Sequence, residues 1–305
     1  RQMCIRDRVI TNPKTLLRYP GGKRKLAPFI AELLDVNGLK GGVYVEPYAG
    51  GGGVAMELLF NGLVDKVVLN DKCNRLCAFW RALLSDPVRF AELVMTVPLN
   101  MEEWKRRREV IRTPHVYDQF EVGFSLFYLN RTNFSGVIAG GVIGGYEQKG
   151  NYKMDARFPR KRLARLAQEF AWYQDRITVC CKDAVSLLRE DVPRVGKKVF
   201  LYCDPPYYHK GQQLYMNAYG HGDHAEVAHV LQREVGIPWV VSYDAEPEIM
   251  KLYSTCRQFT FDLQYSARKK AMGKELFILG PGVQMPQIPS LECIRAAVAA
   301  QDVQA

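Results

Sequence analysis

Short apolar runs of strand length alternate with helical segments along most of the chain. The runs that predict strands are Val43–Glu46, Lys66–Asp71, Arg176–Cys180, Lys198–Cys203 and Pro238–Ser242. A strand followed by a helix and then another strand favours a parallel sheet, because the helix crosses over between neighbouring strands. The last two runs, Arg257–Gln264 and Glu275–Leu279, are joined by a short basic segment and predict antiparallel pairing. We therefore predict an α/β fold with a mostly parallel sheet and an antiparallel C-terminal hairpin.

The alternation stops between residues 86 and 173, where the sequence indicates helices and loops. This segment contains a basic cluster at Lys105–Arg108 and a glycine-rich stretch at Gly136–Gly150. One domain interrupted by an insertion is the economical account of this pattern. We predict an α/β domain of residues 16–85 and 174–285, a helical insertion of residues 86–173, and tails at residues 1–15 and 286–305.

Composition and charge narrow the class of protein. With 48% hydrophobic and 24% charged residues, the 305-residue chain fits a soluble globular protein. No apolar run approaches the roughly 18–20 residues of a membrane span. The eight cysteines form no C-x-x-C pair, so we predict a reducing, cytoplasmic compartment and no metal site. A net charge of +10 favours phosphate-bearing partners such as nucleic acids.

An acid, two prolines and a tyrosine follow one of the apolar runs. Asp204, Pro205, Pro206 and Tyr207 come directly after Cys203. Proline has no donor for a sheet and fixes its own φ angle, so two prolines end the strand in a stiff corner. The corner presents a carboxylate, proline carbonyls and an aromatic face together, which indicates a functional site.

A glycine-rich turn follows the first predicted strand. Gly50–Gly53 lie between Glu46 and an apolar helix, where glycine lets the backbone approach a ligand closely. The turn fits neither a dinucleotide fingerprint nor a phosphate loop, since no Lys-Ser/Thr pair follows its last glycine. Asp71 closes the next strand, where an acid can accept hydrogen bonds from ribose hydroxyls or form the N-cap of a helix that begins at Cys73-Asn74-Arg75. A nucleoside without phosphates is therefore indicated, and S-adenosylmethionine has this chemistry.

A second glycine corner precedes the first strand, in the sequence LRYPGGK at Leu17–Lys23. A Gly-Gly corner beside Lys23 suits a clamp on a carboxylate, and Tyr19 offers a ring face to a cation or a base. On its own this turn is a weak signal, because Pro-Gly-Gly is a common turn sequence.

Taken together, these motifs resemble the Dam-type family of DNA adenine-N6 methyltransferases. LRYPGGK, VEPYAGGGG, LND and DPPY occur in that family's order. Phe127–Gly136 resembles the family's LNR segment, and Gly140–Phe158 resembles the glycine-rich stretch that follows it. Gln264–Leu276 resembles the closing hairpin, so the similarity extends from about Leu16 to Gly280. The combination is specific, although each piece alone is not.

The resemblance implies a Rossmann-like methyltransferase fold with an inserted helical target-recognition domain, and S-adenosyl-L-methionine as cofactor. It implies that Tyr19, Gly22 and Lys23 hold the methionine end of the cofactor. It places Asp71 on the ribose and Asp183 near the adenine. The pocket lining that it implies is Glu46, Pro47, Tyr48, Ala49, Gly50 and Gly51. The catalytic residues that it implies are Asp204, Pro205, Pro206 and Tyr207, with Asp204 also beside the cofactor.

Such a corner suits methyl transfer to an exocyclic amine. The lone pair of the adenine amine is delocalised into the ring, so the nitrogen is a poor nucleophile. The Asp204 carboxylate and the Pro205 carbonyl can each accept one N–H and favour a more tetrahedral nitrogen, and the prolines hold it in line with the methyl group. Tyr207 offers a stacking face to a base that has left the duplex. Methylation at cytosine carbon 5 is excluded, because Cys203 precedes the acid and lies within the strand.

We expect the insertion to read DNA, since Arg and Asn suit bidentate contacts with guanine and adenine edges. The predicted DNA contacts are Asn130, Arg131, Thr132, Asn133, Arg268 and Lys269. Tyr128 or Phe134 could wedge into the base stack, although an aromatic at helical spacing is more often a core residue. Tyr48 stands where phenylalanine is common in the family, and the residues after LNR differ from the family pattern. The second difference leaves a GATC target open.

The leading prediction is a site-specific methyltransferase acting on N6 of a flipped adenine in duplex DNA. The same corner could serve RNA or cytosine N4, and a catalytically silent DNA-binding or cofactor-sensing module is the alternative from another class. The motif order favours adenine, and an intact Asp204 argues against a silent copy. We expect a monomeric, bacterial or phage-encoded protein that binds duplex DNA, with any restriction endonuclease on a separate chain and no membrane contact.

Overall fold

One mixed sheet organises the part of the chain that the structure describes. This computed structural model describes residues 14–18, 23–208, 219–265, 271–287, 289, 291–292 and 294. Within these residues the sheet has seven strands, in the order β3-β2-β1-β4-β5-β7-β6. They are β1 (Val43–Glu46), β2 (Lys66–Asn70), β3 (Ile177–Cys180), β4 (Val199–Cys203), β5 (Trp239–Asp244), β6 (Arg257–Tyr265) and β7 (Ala271–Leu279).

The strand directions confirm the predicted α/β sheet. Parallel pairing joins β3, β2, β1, β4 and β5, with Val45 of β1 opposite Leu201 of β4 and Val68 of β2. β7 runs antiparallel between β5 and β6. It begins at Ala271, earlier than the predicted start at Glu275, because its pairing with β6 continues to Tyr265. The carboxyl ends of β1, β2 and β4 meet at one edge, and the glycine turn, Asp71 and the proline corner all follow strands at that edge.

Helices fill the crossovers and the long segment between β2 and β3. They are α1 (Ala27–Val36), α2 (Gly53–Phe60), α3 (Asn74–Ser85), α4 (Pro87–Thr96), α5 (Met101–Arg112), α6 (Gln119–Thr132), α7 (Arg160–Glu169), α8 (Ala184–Ser186, continued by a π turn at Leu187–Asp191), α9 (His221–Arg233) and α10 (Pro247–Leu252). Side-chain oxygens of Asp86, Asn100 and Asp118 accept backbone N–H groups at the starts of α4, α5 and α6.

The apolar core lies on both faces of the sheet. Every residue of β4 is buried, as expected for a central parallel strand covered on two sides. Tyr44 and Phe200 belong to the core on one face, and Val45 and Leu201 to the core on the other. The sheet therefore fixes the site edge through tightly packed central strands.

The helices between β2 and β3 pack on the sheet domain through α3. The core of the first face continues through Phe79 of α3 to Phe127 of α6, whose rings stack with centroids 6.5 Å apart. Gly123 permits this contact, because a Cβ there would lie 2.3 Å from the Ala78 carbonyl oxygen. The insertion and the sheet domain share one core on this side. The boundaries at residues 86 and 173 stay a prediction.

The described part of the chain has neither a membrane-spanning helix nor a cluster of metal ligands. None of the helices in these ranges is both long enough and apolar enough to cross a membrane. Within the same ranges, no three His, Cys, Asp or Glu side chains are placed to hold a metal ion. The cysteines that the structure describes have free thiols.

Candidate active site

The glycine turn after β1 is held in shape by its neighbours. Gly50 and Gly52 have φ angles of 48° and 59°, in the left-handed region that favours glycine. A Cβ on Gly52 would lie 2.7 Å from the ring of Trp80, and the Trp80 indole donates to the Gly50 carbonyl at 3.1 Å. The buried Asn70 amide donates to the Pro47 carbonyl at 2.9 Å. The turn is therefore fixed by β2 and α3 before any ligand arrives.

Asp71 joins the same turn to the start of α3. Its carboxylate accepts the backbone N–H groups of Gly50 at 3.0 Å and of Cys73 at 2.9 Å. Burial raises the pKa of this carboxyl, and the two backbone donors oppose that shift. Asp71 thus bonds the residue that precedes α3, while the N-cap position itself is Cys73, which has no side-chain cap. The ribose role stays a prediction that the remaining lone pairs of the carboxylate allow.

Glu46, the last residue of β1, is a buried acid. Its Oε1 accepts the Tyr44 hydroxyl at 3.0 Å and the Ala55 backbone N–H at 3.1 Å. Among the described residues, no lysine, arginine or histidine forms an ion pair with it. Burial raises the pKa of Glu46 to about 8, with the nearby Asp204 adding to the shift. The carboxyl is therefore mostly protonated at neutral pH, and a cation placed beside it would favour its charged form.

Lys23, Tyr207 and Glu275 form a closed hydrogen-bonded triangle. The Lys23 ammonium donates to Glu275 Oε2 and to the Tyr207 hydroxyl, both at 2.6 Å, and the Tyr207 hydroxyl donates to Glu275 Oε1 at 2.6 Å. Burial raises the pKa of Glu275 to about 7, while Lys23 opposes the shift. The Lys23 ammonium thus has protein partners here. The predicted clamp on a cofactor carboxylate would require it to exchange Glu275 for the ligand.

Asp204 stands at the open side of this triangle. Its Oδ1 lies 3.8 Å from the Lys23 ammonium and accepts the Ser242 hydroxyl at 2.8 Å, while Ser242 is in turn 2.8 Å from the Tyr202 hydroxyl. The Asp204 side chain is 26% exposed. Burial raises the pKa of Asp204, and Lys23 and Ser242 lower it. The Asp204 carboxylate is therefore fixed by Ser242 and is still partly accessible to a ligand.

Beyond the glycine turn lies a polar cavity. It has a volume of about 330 Å³ and is lined in part by Lys72, Asp183 and Tyr219. Asp183 accepts the Lys72 ammonium at 3.1 Å and the Val185 backbone N–H at 3.0 Å. The hydroxyls of Tyr48 and Tyr219 are 3.2 Å apart. The predicted cofactor residues Tyr48 and Asp183 thus lie on either side of Tyr219.

The catalytic predictions Asp204 and Tyr207 come together with Lys23, and Pro205 is buried at the corner. Ala49 and Gly51 are buried in the glycine turn, as the pocket prediction requires. The predicted residues Tyr19, Gly22, Arg268 and Lys269 lie outside the described residues.

Sequence reasoning missed two residues of the site, Glu275 and Ser242. Each is a polar residue in a mostly apolar strand, and each is almost fully buried. A buried polar side chain needs a partner, so this pattern could have flagged both positions. It could not have named their partners. Cys203 is fully buried, and burial raises the pKa of its thiol, which agrees with the exclusion of a cysteine nucleophile.

The four predicted DNA contacts of the LNR segment do not face solvent. Asn130, Arg131, Thr132 and Asn133 are all buried, with Asn130 and Asn133 at 3% and 0% exposure. The Asn133 side chain accepts the Trp104 indole N–H at 2.8 Å and donates to two backbone carbonyls, and Thr132 donates to a carbonyl of its own helix.

The side chains of Asn130 and Arg131 also form hydrogen bonds to the protein's own backbone. Asn130 bonds both the N–H and the C=O of Arg18, at 2.7 and 2.9 Å, and Arg131 donates to the Leu16 carbonyl at 2.6 Å. All four side chains are buried and bond within the protein, and DNA contact by them stays a prediction. Tyr128 is a core residue whose hydroxyl donates to a backbone carbonyl, whereas Phe134 is exposed.

The sheet order, the glycine turn after β1, the acid after β2 and the Asp-Pro-Pro-Tyr corner after β4 define a Rossmann-like methyltransferase. Residues 19–272 match the D12 class N6 adenine-specific DNA methyltransferase family, and the chain belongs to that family. The predicted resemblance, fold and enzyme class are confirmed at this level.

Relatives from archaea and bacteria agree with the assignment. The chain is 25% identical over 207 residues to the Type II methyltransferase M.MjaIII of Methanocaldococcus jannaschii, covering 64% of this chain and 69% of that protein. It is 29% identical over 199 residues to a DNA adenine methylase of Salmonella typhi, covering 64% of this chain and 65% of that protein.

Solved structures are similar only in a general way. A putative RNA methyltransferase from Pyrococcus horikoshii has a TM-score of 0.39 at 11% identity, over 88% of each chain. The rRNA methyltransferase aviRa from Streptomyces viridochromogenes has a TM-score of 0.34 at 13% identity, over 86% of each chain. Neither similarity is strong enough to bear on the substrate.

Proposed function

We propose that this chain transfers the methyl group of S-adenosyl-L-methionine to the N6 amine of an adenine that has left a DNA duplex. The observation that carries the proposal is the Asp204 corner. Its carboxylate is partly exposed, while Ser242 fixes it from behind and Lys23 lies 3.8 Å away. A carboxylate so placed can accept an amine N–H without rearrangement, which is the condition for efficient positioning.

We place the cofactor along the edge of the sheet formed by the carboxyl ends of the strands, between Glu46 and the polar cavity beside Asp183. We place its amino-acid end at Glu46, because this buried acid has no cationic partner among the described residues and a ligand ammonium would supply one. Asp71 would hold the ribose, and the cavity beside Asp183 and Tyr219 would take the adenine. When bound, the cofactor supplies an activated methyl group.

The protein's own groups then act on the target amine. Asp204 and the Pro205 carbonyl each accept one N–H, which leaves the nitrogen lone pair directed at the methyl group. Lys23 favours the ionised form of Asp204, since it lowers the pKa of that carboxyl against the effect of burial. Tyr207, fixed through its hydroxyl by Lys23 and Glu275, stacks on the base. The proton leaves after transfer, when the amine is cationic.

Because Asn130–Asn133 are buried, we place DNA contact on the loop after α6. This loop, residues 133–159, carries the exposed aromatic residues Phe134, Tyr146 and Tyr152, and also Lys149, whose exposed side chain pairs with Glu147. Aromatic and basic groups together suit stacking and phosphate contact. Duplex DNA is the proposed partner. A separate restriction endonuclease and a monomeric state stay predictions.

The test is the identity of the methylated nucleoside. The protein is incubated with duplex DNA and methyl-labelled S-adenosylmethionine, the DNA is digested, and the labelled nucleoside is identified. We expect N6-methyldeoxyadenosine, and protein carrying Asp204→Ala, prepared in the same way, controls for contaminating enzymes. Label on N4-methyldeoxycytidine, or on RNA alone, would replace the proposal by one of the other amine substrates. Cofactor binding without transfer to any nucleic acid would indicate a silent module.

A further inference from the structure

A short piece of chain contacts both the insertion and the glycine turn. We call residues 14–18 the anchor segment. Leu16 and Leu17 are buried, so the segment is part of the core although it lies outside the helices and strands. At one end, the Thr15 hydroxyl donates to the Gly51 carbonyl of the glycine turn at 2.6 Å. Beyond Arg18 the chain reaches Lys23 in five residues, a span of at most about 18 Å.

The other side of the anchor segment is bonded to the end of α6. The Asn130 amide bonds both the N–H and the C=O of Arg18, in the manner of a paired strand, and the Arg131 guanidinium donates to the Leu16 carbonyl. Arg18 returns a bond from its guanidinium to the Asn133 carbonyl at 3.2 Å. Four hydrogen bonds thus join the segment to one helix end.

Gly136 completes this contact from the loop that follows α6. Its φ angle is 76°, and a Cβ there would lie 2.3 Å from the Arg18 carbonyl oxygen. The Asn130 amide also donates to the Gly136 carbonyl at 2.9 Å. The loop on which we place DNA contact therefore starts directly on the anchor segment. None of the described contacts of Asn130, Arg131 and Gly136 involves the proposed reacting groups, and the anchor segment is the described connection between these residues and the glycine turn.

We propose that Asn130 and Arg131 are positioning residues, which couple the DNA-binding insertion to the cofactor pocket through the anchor segment. This inference rests on the proposed function. It assigns to the LNR segment a role opposite to base reading, since its polar groups hold the protein's own backbone. The coupling runs from the loop after α6, through Asn130, Arg131 and the anchor segment, to Gly51.

The test compares Asn130→Ala with Ser125→Ala. Ser125 is equally buried on α6, but its hydroxyl bonds Arg107 within the insertion and not the anchor segment. For Asn130→Ala we expect the Kd for S-adenosylmethionine, measured without DNA, to rise about tenfold, as the loss of buried hydrogen bonds to one partner typically allows. Affinity for duplex DNA that the wild type binds should stay within about twofold. Ser125→Ala should change neither constant.

A base-reading role for Asn130 predicts the reverse pattern. In that case DNA affinity and sequence preference would fall while cofactor affinity stayed constant, and the coupling proposal would be wrong. Unchanged constants for both ligands would overturn it equally.

Thr15→Val tests the other end of the same connection. It also keeps the proposal testable if Asn130→Ala fails to fold. It removes the bond to Gly51 without touching the insertion, and we expect the same selective weakening of cofactor binding. The two substitutions should combine less than additively, because they interrupt one connection. Full additivity, or no effect of Thr15→Val, would contradict the proposal.

Amide hydrogen exchange separates this inference from the proposed function, because it needs no substrate. Asn130→Ala should accelerate exchange at Leu17 and Arg18, and Ser125→Ala should not. If the wild type binds S-adenosylmethionine but methylates no DNA, the proposed function fails while these exchange and binding results still decide the coupling.

Discussion

The Asp204–Tyr207 corner and the Asn130–Asn133 helix end are both rich in polar side chains, but the fold uses them differently. Asp204 keeps 26% of its side chain exposed, with its supports arranged behind it. Asn130 and Asn133 are buried, and each makes three hydrogen bonds to the protein's own backbone or to an indole. The difference is whether a polar group has acceptor or donor capacity left after the chain has folded. That capacity, and not polarity alone, marks a residue that can act on a ligand.

Asp204→Ala gives the largest expected effect and tests the corner directly. Removing the amine's acceptor should lower kcat by about a thousandfold, comparable to the loss of one preorganised group at other charge-developing sites. Cofactor affinity should change only a few fold, because the proposed cofactor contacts are Glu46, Asp71 and Asp183. Single-turnover kinetics with labelled cofactor and separate binding measurements would check both values. Near-normal turnover would remove Asp204 from the mechanism.

Glu275→Gln tests whether the corner depends on its buried support. The substitution removes the charge that pairs with Lys23 at 2.6 Å and weakens the acceptor of the Tyr207 hydroxyl. Lys23, the cation beside Asp204, is then held less firmly. We expect kcat to fall about ten- to a hundredfold, in the range typical of a misplaced catalytic group. Glu275→Asp, which keeps the charge, should recover part of the loss.

The pH profile distinguishes this positioning role from a purely structural one. The pKa of Glu275 is raised to about 7, with Lys23, Tyr207 and Asp204 as its charged or titratable neighbours. If the ionised form is required, wild-type kcat should fall as the pH drops through about 7, and Glu275→Gln should lack that limb. An unchanged acidic limb in the Gln variant would assign the limb to another group.

Much of the fold could be predicted because its signals are local. Apolar runs, the glycines after β1 and the prolines after β4 fixed most strand ends to within a residue or two. The position of β7 between β5 and β6 could not be predicted, because strand pairing is a long-range choice. Glu275 was missed for the same reason: its partner Lys23 is 252 residues away in sequence. The burial of Asn130 could not be foreseen either, because its partner Arg18 is 112 residues away.

Glu46→Gln tests whether a buried polar side chain can still bind a ligand. Glu46 is buried like Asn130, but it has no cationic partner among the described residues. Its pKa is raised to about 8 in the folded protein, whereas an unfolded glutamate titrates near 4.5. The folded state therefore binds more protons between these values, and the free energy of unfolding should decrease as the pH rises from about 5 to 8. Glu46→Gln should flatten this dependence and, because an amide has no charge to bury, should raise stability relative to the wild type increasingly as the pH approaches 8.

The same substitution should weaken cofactor binding, because the neutral amide loses the charge proposed to meet the ammonium. Urea unfolding at pH 5 and pH 8, with isothermal titration of S-adenosylmethionine, would measure both effects. Glu57→Gln is the matched acid control, since Glu57 is also buried but pairs with Arg24 and lies outside the proposed cofactor contacts. A Glu46 variant that gains stability and keeps cofactor affinity would place the ammonium elsewhere.

Tyr152→Ala gives the smallest expected effect. It tests whether the loop after α6 contacts DNA, as proposed because Asn130–Asn133 are buried. Tyr152 is 74% exposed on the loop after α6, so its removal should change the free energy of unfolding by less than about 0.5 kcal/mol. The KM for DNA should rise about three- to tenfold through the loss of a stacking surface, while kcat and cofactor affinity stay constant. Trp172→Ala is the matched control, because Trp172 is also highly exposed but lies outside this loop. Equal effects of the two substitutions on KM would contradict DNA contact by this loop. They would show that the exposure of an aromatic ring, and not its position on the loop, determines KM.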